Sequence, residues 1–273
     1  MLPKISVVVP SFNQARYLGS TLESILKQRY PNLEIIVMDG GSTDGSVDII
    51  KYYEKSISYW VSQPDGGQTN ALIEGFRRST GDIQCWLNSD DQFSGDCLFE
   101  AAEYFREHPD CDAAFGDALW IDANDEVITW KREIPFQRFV WLHTFNYIPG
   151  MSMFWRRSIY EKVGGIDPQF QLAMDGDLWI RFAEAGAKIG KTRRIWSRMR
   201  YYPEQKNCRL RAQSNAEDWK IYRRYSRSTA KPVIAAKRSV ARVIRIGWKL
   251  ITGCYPPNMK LSLEFPIRRL AHK

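Results

Sequence analysis

Histidine and closely spaced cysteine are scarce in this sequence. It has three histidines (His108, His143 and His272), far apart along the chain, and five cysteines with no C-x-x-C pair. These spacings exclude a zinc-finger type of site. An odd number of scattered cysteines favours reduced thiols, and therefore a cytosolic compartment.

Long uncharged apolar runs are also missing. No window of about 18 residues is free of charge, so no membrane-spanning helix is predicted. The first residues, MLPKISVVVP, enter a strand-like run at once and do not resemble a secretory signal.

Acidic residues are absent from one long segment near the end. Residues 220–263 contain eleven Lys and Arg and no Asp or Glu, whereas the whole chain carries a formal net charge of +8. The preceding part is therefore mildly acidic. This asymmetry predicts a polyanionic partner for the tail, either a membrane surface or nucleic acid. No nucleic-acid-binding module is recognisable, so nucleic acid is not expected.

Short apolar runs rich in β-branched residues alternate with amphipathic segments in the first 90 residues. Four such runs predict buried parallel strands, at 5–10, 33–39, 58–62 and 83–87. The later part predicts a helix at 96–107, an antiparallel hairpin over 113–130 and a helix that ends at Gly186. The expected fold class is α/β, with a mostly parallel doubly wound sheet, a mixed C-terminal half and a basic helical tail.

Polar residues follow each of the four predicted strands. They are Pro10 to Asn13, Asp39, Asp65 to Gly67, and Asn88 to Asp91. Ligands bind in the crevice beyond the carboxyl ends of such strands, so these residues should line one site. The adjacent Asp90 and Asp91 suit a divalent cation that bridges to a diphosphate. Alternatively, the pair caps the helix that begins near Asp96 or forms a polar turn.

Several motifs in order resemble family 2 nucleotide-sugar glycosyltransferases, which have a GT-A-type fold. The resemblance covers roughly residues 4–206 and lies in VVVPSFNQARYLG, QPDGGQTNALIEGFRRSTGDI, WLNSDD, MFWRRSIYEKVGGIDPQF and MDGDLWIRFAEAG. It implies a donor-binding half at 1–110 and an acceptor and catalytic-base half at 111–211, and the basic tail follows at 212–273.

The resemblance also implies roles for individual residues. Asp175 matches the catalytic base, and Asp91 matches the metal ligand for Mn²⁺ or Mg²⁺. The residues implied to bind the nucleotide sugar are Pro10, Phe12, Asn13, Asp39, Gly67, Gln68, Asn70, Ser89, Asp90, Arg200 and Lys206. The implied activity is metal-dependent, inverting transfer from a UDP- or dTDP-sugar to an acceptor hydroxyl, in bacterial-type polysaccharide or glycolipid synthesis.

Some positions depart from the family pattern or admit another interpretation. The usual Glu-Asp pair is Met174-Asp175 here, Asp177 is a second possible base, and Asp175 could instead be a helix N-cap. A late histidine of the family is replaced by Tyr201 or Tyr202. Trp179 is the candidate on the acceptor side. For Trp120, Trp130, Trp141 and Trp155 a core position is favoured over a sugar-stacking platform.

The tail predicts a basic amphipathic helix over 231–253. Apolar residues recur there at three- or four-residue steps: Val233, Ala236, Val240, Ile244, Trp248 and Ile251. We expect it to bind an anionic membrane, which places the protein in the cytoplasm at the inner face. Docking on the protein's own acidic body and a homodimer contact are the alternatives.

The expected partners are a nucleotide-sugar donor and a saccharide or lipid-linked acceptor. A nucleotidyltransferase or a non-catalytic binding protein of the same fold is the alternative function.

Overall fold

The computed structural model describes residues 2–226, 228 and 230–255, without the side chains of 207 and 208. The strands are β1 (Ile5–Ser11), β2 (Leu33–Asp39), β3 (Tyr59–Ser62), β4 (Ile83–Trp86), β5 (Gln92–Phe93), β6 (Ala113–Ile121), β7 (Val127–Lys131), β8 (Met153–Arg156) and β9 (Ile189–Arg200). The helices are α1 (Ala15–Leu26), α2 (Ser46–Tyr52), α3 (Gln68–Arg78), α4 (Cys97–Glu107), α5 (Arg138–His143), α6 (Arg157–Lys162), α7 (Met174–Glu184), α8 (Lys206–Arg209), α9 (Arg211–Tyr225) and α10 (Lys231–Ile251).

One mixed sheet runs through the molecule in the order β3-β2-β1-β4-β8-β6-β9-β5, with β7 paired to β6. The strands β1 to β4 are parallel, as the sequence predicts, and β8 joins β4 antiparallel. The chain moves outward from β1 to β3 and then returns through α3 to place β4 on the other side of β1. This reversal of strand order opens a crevice at the carboxyl ends of β1 and β4.

The central strands are buried because their sequences are continuous apolar runs. Every residue of β1 is buried, because helices cover both faces of a parallel sheet. The helix α3 approaches β1 closely at Gly75, where an added Cβ atom would lie 2.4 Å from Cγ1 of Val8. This glycine therefore sets the position of α3, whose first residue, Gln68, lies at the crevice.

The second half contains elements that the sequence did not predict, in addition to the predicted hairpin of β6 and β7. The main one is β9, which pairs in parallel with β6 through two register shifts. Its sequence, IGKTRRIWSRMR, is rich in basic residues, and its buried residues, Trp196, Ser197 and Arg200, do not follow strict alternation. Tertiary pairing thus overrides a weak local strand preference.

The predicted tail helix is present as α10, and it packs on the body against α5. Ile234 and Ala241 are buried in this contact. Arg245 lies 2.6 Å and Lys249 3.3 Å from the carboxylate of Glu133, which follows β7. Docking on the protein's own body, one of the alternatives for the tail, is therefore what the structure shows. None of the helices in the described residues is long and apolar enough to cross a bilayer.

Candidate active site

A cavity of about 1140 Å³ lies at the predicted crevice. The strand-end loops of β1, β3 and β4, the start of α7 and the segment from β9 to α8 line it. Nine of the site residues implied by the family resemblance contribute to its wall: Pro10, Phe12, Asn13, Gly67, Gln68, Ser89, Asp90, Asp175 and Lys206. The structure therefore brings together residues that are up to about 200 positions apart in the sequence.

The loop after β1 presents an aromatic ring to the cavity. Phe12 is 59% exposed although it is a large apolar residue. Gly40 lies against it, since an added Cβ there would be 3.3 Å from the ring. The neighbouring Asn13 has a positive φ of 52° and accepts a hydrogen bond from the Thr43 N–H at 2.9 Å. The exposed ring offers a surface on which a planar group can stack.

Asp39 and Asn70 do not line this cavity. Asp39 is buried, and its carboxylate accepts hydrogen bonds from the N–H groups of Gly41 and Ser42 and from the hydroxyl groups of Ser42 and Ser62. Asn70 is exposed and donates to the Asp65 carbonyl at 3.0 Å. Both residues line a separate hollow of about 390 Å³. In this structure Asp39 stabilises a turn, and the donor-binding roles of the two residues stay predictions.

The adjacent residues Asp90 and Asp91 lie in two different environments. Asp90 lines the cavity, where its Oδ2 accepts a hydrogen bond from the Tyr202 hydroxyl at 2.9 Å. Asp91 is buried outside the cavity wall, and its Oδ1 accepts from the Arg200 N–H at 2.7 Å. Its Oδ2 accepts from the Asn88 amide. Burial and then the charge of Asp90 raise the pKa of Asp91 well above its usual value.

Of the two carboxylates, that of Asp90 lines the cavity, and the role of Asp91 as the metal ligand stays a prediction. Within the described residues no cluster of three or more His, Cys, Asp or Glu could hold a metal ion. A single carboxylate is nonetheless compatible with Mg²⁺ or Mn²⁺ sites in which substrate phosphates supply the other oxygen ligands. Asp90 is the residue that fits such a site.

Arg200 does not line the cavity, which corrects its predicted place among the donor-binding residues. Its side chain is buried, and its guanidinium donates to the carbonyls of Asp90 and Asp122 and to the Asp125 carboxylate. It also lies 4.3 Å above the Tyr17 ring. A guanidinium held by this many partners cannot close over a diphosphate. Arg200 thereby links the loop that contains Asp90 to the turn between β6 and β7.

Asp175 reaches the cavity from the first turn of α7. The helix begins at Met174 with Ala173 as its N-cap, so Asp175 is not the cap residue. Its Oδ1 accepts from the Gly176 N–H at 2.7 Å, and its Oδ2 accepts from the Asn146 side-chain amide at 2.8 Å. Burial raises the pKa of Asp175 above its usual value despite these hydrogen bonds. A buried carboxylate with a raised pKa is typical of a general base.

The alternative base, Asp177, faces away from the cavity. It is fully buried and pairs with Arg181 at 2.6 Å and with Arg224 at 3.2 Å. The first pair lies within α7, and the pair with Arg224 joins α7 to α9. The structure thus distinguishes the two acids, since only Asp175 is at the cavity.

The segment before α7 is held by a residue that the sequence did not single out. The carboxylate of Glu217 in α9 accepts from the N–H groups of Gln171, Leu172 and Ala173 at 2.8–3.0 Å. Burial favours a higher pKa for Glu217, but the three donors outweigh it and lower the pKa. Lys206 donates to the Gln171 carbonyl at 2.8 Å. No local pattern marks Glu217, because its partners lie about 45 residues earlier.

Trp179 is not on the acceptor side, which corrects another prediction. It is fully buried and stacks on Trp86 with ring centroids 5.4 Å apart. Trp141 and Trp155 are also buried, in agreement with the core position favoured for them. Trp179, four positions beyond Asp175 in α7, therefore faces the sheet and not the cavity.

Comparison with known proteins places the chain in a family. The sequence profile described as "Glycosyl transferase family 2" matches residues 6–164. An uncharacterized glycosyltransferase of Mycobacterium tuberculosis is 33% identical over 186 residues, which cover 66% of this chain and 69% of that protein. The chain belongs to glycosyl transferase family 2 and is a glycosyltransferase.

Solved structures of low sequence identity share the fold. TarS residues 1–349 of S. aureus, in complex with UDP-GlcNAc, is 17% identical with a TM-score of 0.63, over 98% of this chain and 77% of that one. In a longer TarS structure the similarity spans 44% of that chain. The mannosyltransferase PcManGT of Pyrobaculum calidifontis, with GDP-Man and Mn²⁺, also has a TM-score of 0.63 at 17% identity, over 100% and 79% of the two chains. The GT-A-type fold is confirmed.

Proposed function

We propose that the protein transfers a sugar from a nucleoside-diphosphate donor, UDP- or dTDP-linked, to an acceptor hydroxyl with inversion at the anomeric carbon. The observation that carries this proposal is that two carboxylates of distant origin, Asp90 and Asp175, line one cavity. The neighbours TarS and PcManGT, which bind UDP-GlcNAc and GDP-Man, support it.

The donor occupies the strand-end side of the cavity. The exposed ring of Phe12 stacks on the nucleobase, and Asn13 lies beside it. Lys206 and Arg209 line the cavity from α8 and provide positive charge near the diphosphate. A divalent cation, Mn²⁺ or Mg²⁺, held by Asp90 together with the diphosphate would offset the charge of the leaving group.

Asp175 accepts the proton of the acceptor hydroxyl as that oxygen attacks the sugar. A hydroxyl is a poor nucleophile near neutral pH, so a carboxylate within reach of it lowers the barrier. Attack from the side opposite the leaving diphosphate is a single displacement, which inverts the anomeric configuration. The raised pKa of Asp175 increases its strength as a base.

The first experiment is a thermal-shift panel of UDP-, dTDP- and GDP-sugars, each with and without Mn²⁺. A ligand that binds only the native state raises the melting temperature with its saturation. We expect a UDP- or dTDP-sugar to stabilise the protein, more strongly with Mn²⁺. A panel in which no nucleotide sugar shifts the melting temperature would contradict the proposal.

The second experiment replaces the base by Asp175→Asn. We expect transfer to fall by about 10²–10⁴-fold, while the thermal shift produced by the donor remains close to wild type. Retention of wild-type turnover would show that the base is another group.

We also propose that the acceptor is a lipid-linked saccharide and that the enzyme works at the cytoplasmic face of a membrane, in polysaccharide or glycolipid synthesis. The orientation of α10 supports this. Its basic residues Arg245 and Lys249 face the body, whereas several large apolar residues of the helix are exposed: Val233, Val240, Val243, Trp248, Leu250 and Ile251. Exposed apolar side chains on an amphipathic helix suit insertion into a bilayer surface. A homodimer through the same residues is the alternative.

A further inference from the structure

The carboxylate of the proposed base receives its only side-chain hydrogen bond among the described residues from a loop far away in the sequence. Asn146 lies between α5 and β8, and its Nδ2 donates to Oδ2 of Asp175 at 2.8 Å. We propose that Asn146 is a positioning residue: it fixes the orientation of the Asp175 carboxylate and favours its ionised form. This inference rests on the proposed role of Asp175 as the base.

The orientation of the Asn146 amide is determined by its other contacts. Its Oδ1 accepts hydrogen bonds from Nε1 of Trp141 at 3.2 Å and from the Ile148 N–H at 3.3 Å. A reversed amide would direct its NH₂ group at two donors and its oxygen at a carboxylate. Both contacts would be repulsive, so the NH₂ group must face Asp175.

Packing holds the amide and the base at a fixed distance. Trp141 is buried in α5, and Gly176 lies against it at the start of α7. A Cβ atom added at Gly176 would lie 3.4 Å from Cζ2 of Trp141 and 3.7 Å from Nδ2 of Asn146. Both distances are ordinary van der Waals contacts, so Trp141 and Asn146 pack directly against the first turn of α7.

Two other charged residues act on Asp175 from neighbouring elements. Lys131 of β7 favours the carboxylate, and Asn146 acts in the same direction. The surrounding protein and then the charge of Asp175 raise the pKa of Asp218 in α9, although this residue is exposed. A negatively charged Asp218 opposes ionisation of Asp175. The charge of Lys131 and the hydrogen bond from Asn146 act against this effect and limit the rise in the pKa of Asp175.

Other charged groups lie on the elements around the base. On α7 Asp177 is paired with two arginines. On α5 Arg138 pairs with Glu184, and Nδ1 of His143 contacts the Phe139 carbonyl. On the cavity side, the segment before and within α8 contributes Glu204, Lys206 and Arg209, while Asp90 follows β4. None of these groups replaces the donor that Asn146 supplies.

The test is a direct titration of the Asp175 carboxyl carbon by ¹³C NMR, with the signal assigned by its loss in Asp175→Asn. In Asn146→Ala one hydrogen bond to a charged group is lost, and we expect the pKa of Asp175 to rise by about one to two units. In Asn146→Asp the residue keeps its shape and its acceptor for Trp141, but it places a second carboxylate against Asp175. We expect a larger rise there, by coupled titration of the two acids.

Two further variants separate positioning from stability. Trp141→Phe removes one donor that orients the amide, and we expect a smaller rise in the pKa of Asp175 than in Asn146→Ala. Thr144→Val removes a hydroxyl that donates to the Val140 carbonyl at 2.6 Å in the same loop. We expect this control to lower the melting temperature at most and to leave the titration of Asp175 unchanged.

The outcomes distinguish this inference from the proposed function. An unchanged Asp175 titration in both Asn146→Ala and Asn146→Asp, with or without a lower melting temperature, would overturn the positioning role. The titration needs no substrate and is therefore independent of the reaction. Wild-type transfer by Asp175→Asn would instead contradict the assignment of the base, whatever the titration shows.

Discussion

At the scale of single residues, neighbouring acids of this enzyme have different surroundings. Asp90 and Asp91 are adjacent, yet one lines the cavity and the other is buried behind its wall. Asp175 and Asp177 differ in the same way, since the second is neutralised by two arginines. Side chains one or two positions apart point in different directions, so adjacency in sequence does not imply a shared role.

The pair Asp90 and Asp91 gives a contrast that can be measured. We expect Asp90→Asn to abolish the Mn²⁺-dependent part of donor binding with little change in stability. Asp91→Ala leaves the Arg200 N–H and the Asn88 amide without their acceptor, which costs about 1–3 kcal/mol of unfolding free energy. Calorimetric titration and urea unfolding measure the two effects. Loss of Mn²⁺ dependence in Asp91→Asn but not in Asp90→Asn would instead support the prediction that Asp91 is the metal ligand.

At the scale of elements, helix α9 holds the segment that carries the base. The Glu217 carboxylate accepts three backbone N–H groups just before α7. Because its pKa is lowered in the folded state, its contribution to stability is present above its unfolded pKa of about 4.3 and is lost as the pH falls through the folded value.

We therefore expect Glu217→Gln to destabilise the protein by about 1–3 kcal/mol at pH 7, and the difference from wild type to shrink as the pH falls below about 4. Urea unfolding at several pH values measures this. Lys27→Gln is a matched control, because it changes an exposed i,i+4 pair with Glu23. A difference between Glu217→Gln and wild type that stays constant down to pH 3 would contradict the linkage.

The exposed side of α10 makes a separate prediction for membrane binding. We expect a Val240→Ser, Val243→Ser, Leu250→Ser variant to lose sedimentation with vesicles that contain anionic lipid. Val127→Ser is the control, since Val127 is equally exposed but lies on the β7 hairpin. Unchanged sedimentation, together with a loss of dimer in the triple variant, would assign these residues to a homodimer.

At the scale of the whole molecule, helix α10 is part of the folded body and not an appendage. Glu133 is buried and is the shared partner of Arg245 and Lys249. Deleting 231–273 would leave this carboxylate without its two cations and uncover α5. We expect the deletion to lower the unfolding free energy by about 3–5 kcal/mol, measured by urea unfolding. A deletion variant as stable as wild type would show that α10 does not dock in solution.

The parallel half of the fold could be predicted from the sequence because its signals are local. A run such as ISVVVP is apolar and β-branched, and a buried parallel strand requires little else. Strand β9 could not be predicted in this way, since its pairing with β6 joins residues about 80 positions apart. For the site, the positions of Phe12, Asp90 and Asp175 followed from strand ends and family motifs. The partners of Asp175 and Glu217 come from distant loops and helices.

By itself the sequence determined the strand–helix order, the polar strand ends that converge on one crevice, the family and the amphipathic tail, because each depends on residues close together or on a motif. Only the tertiary structure decided that Asp91 is buried behind the cavity wall, that Trp179 and Arg200 are buried, and that α10 turns Arg245 and Lys249 toward the body. These properties depend on which surfaces pack together, and packing joins residues that no local pattern relates.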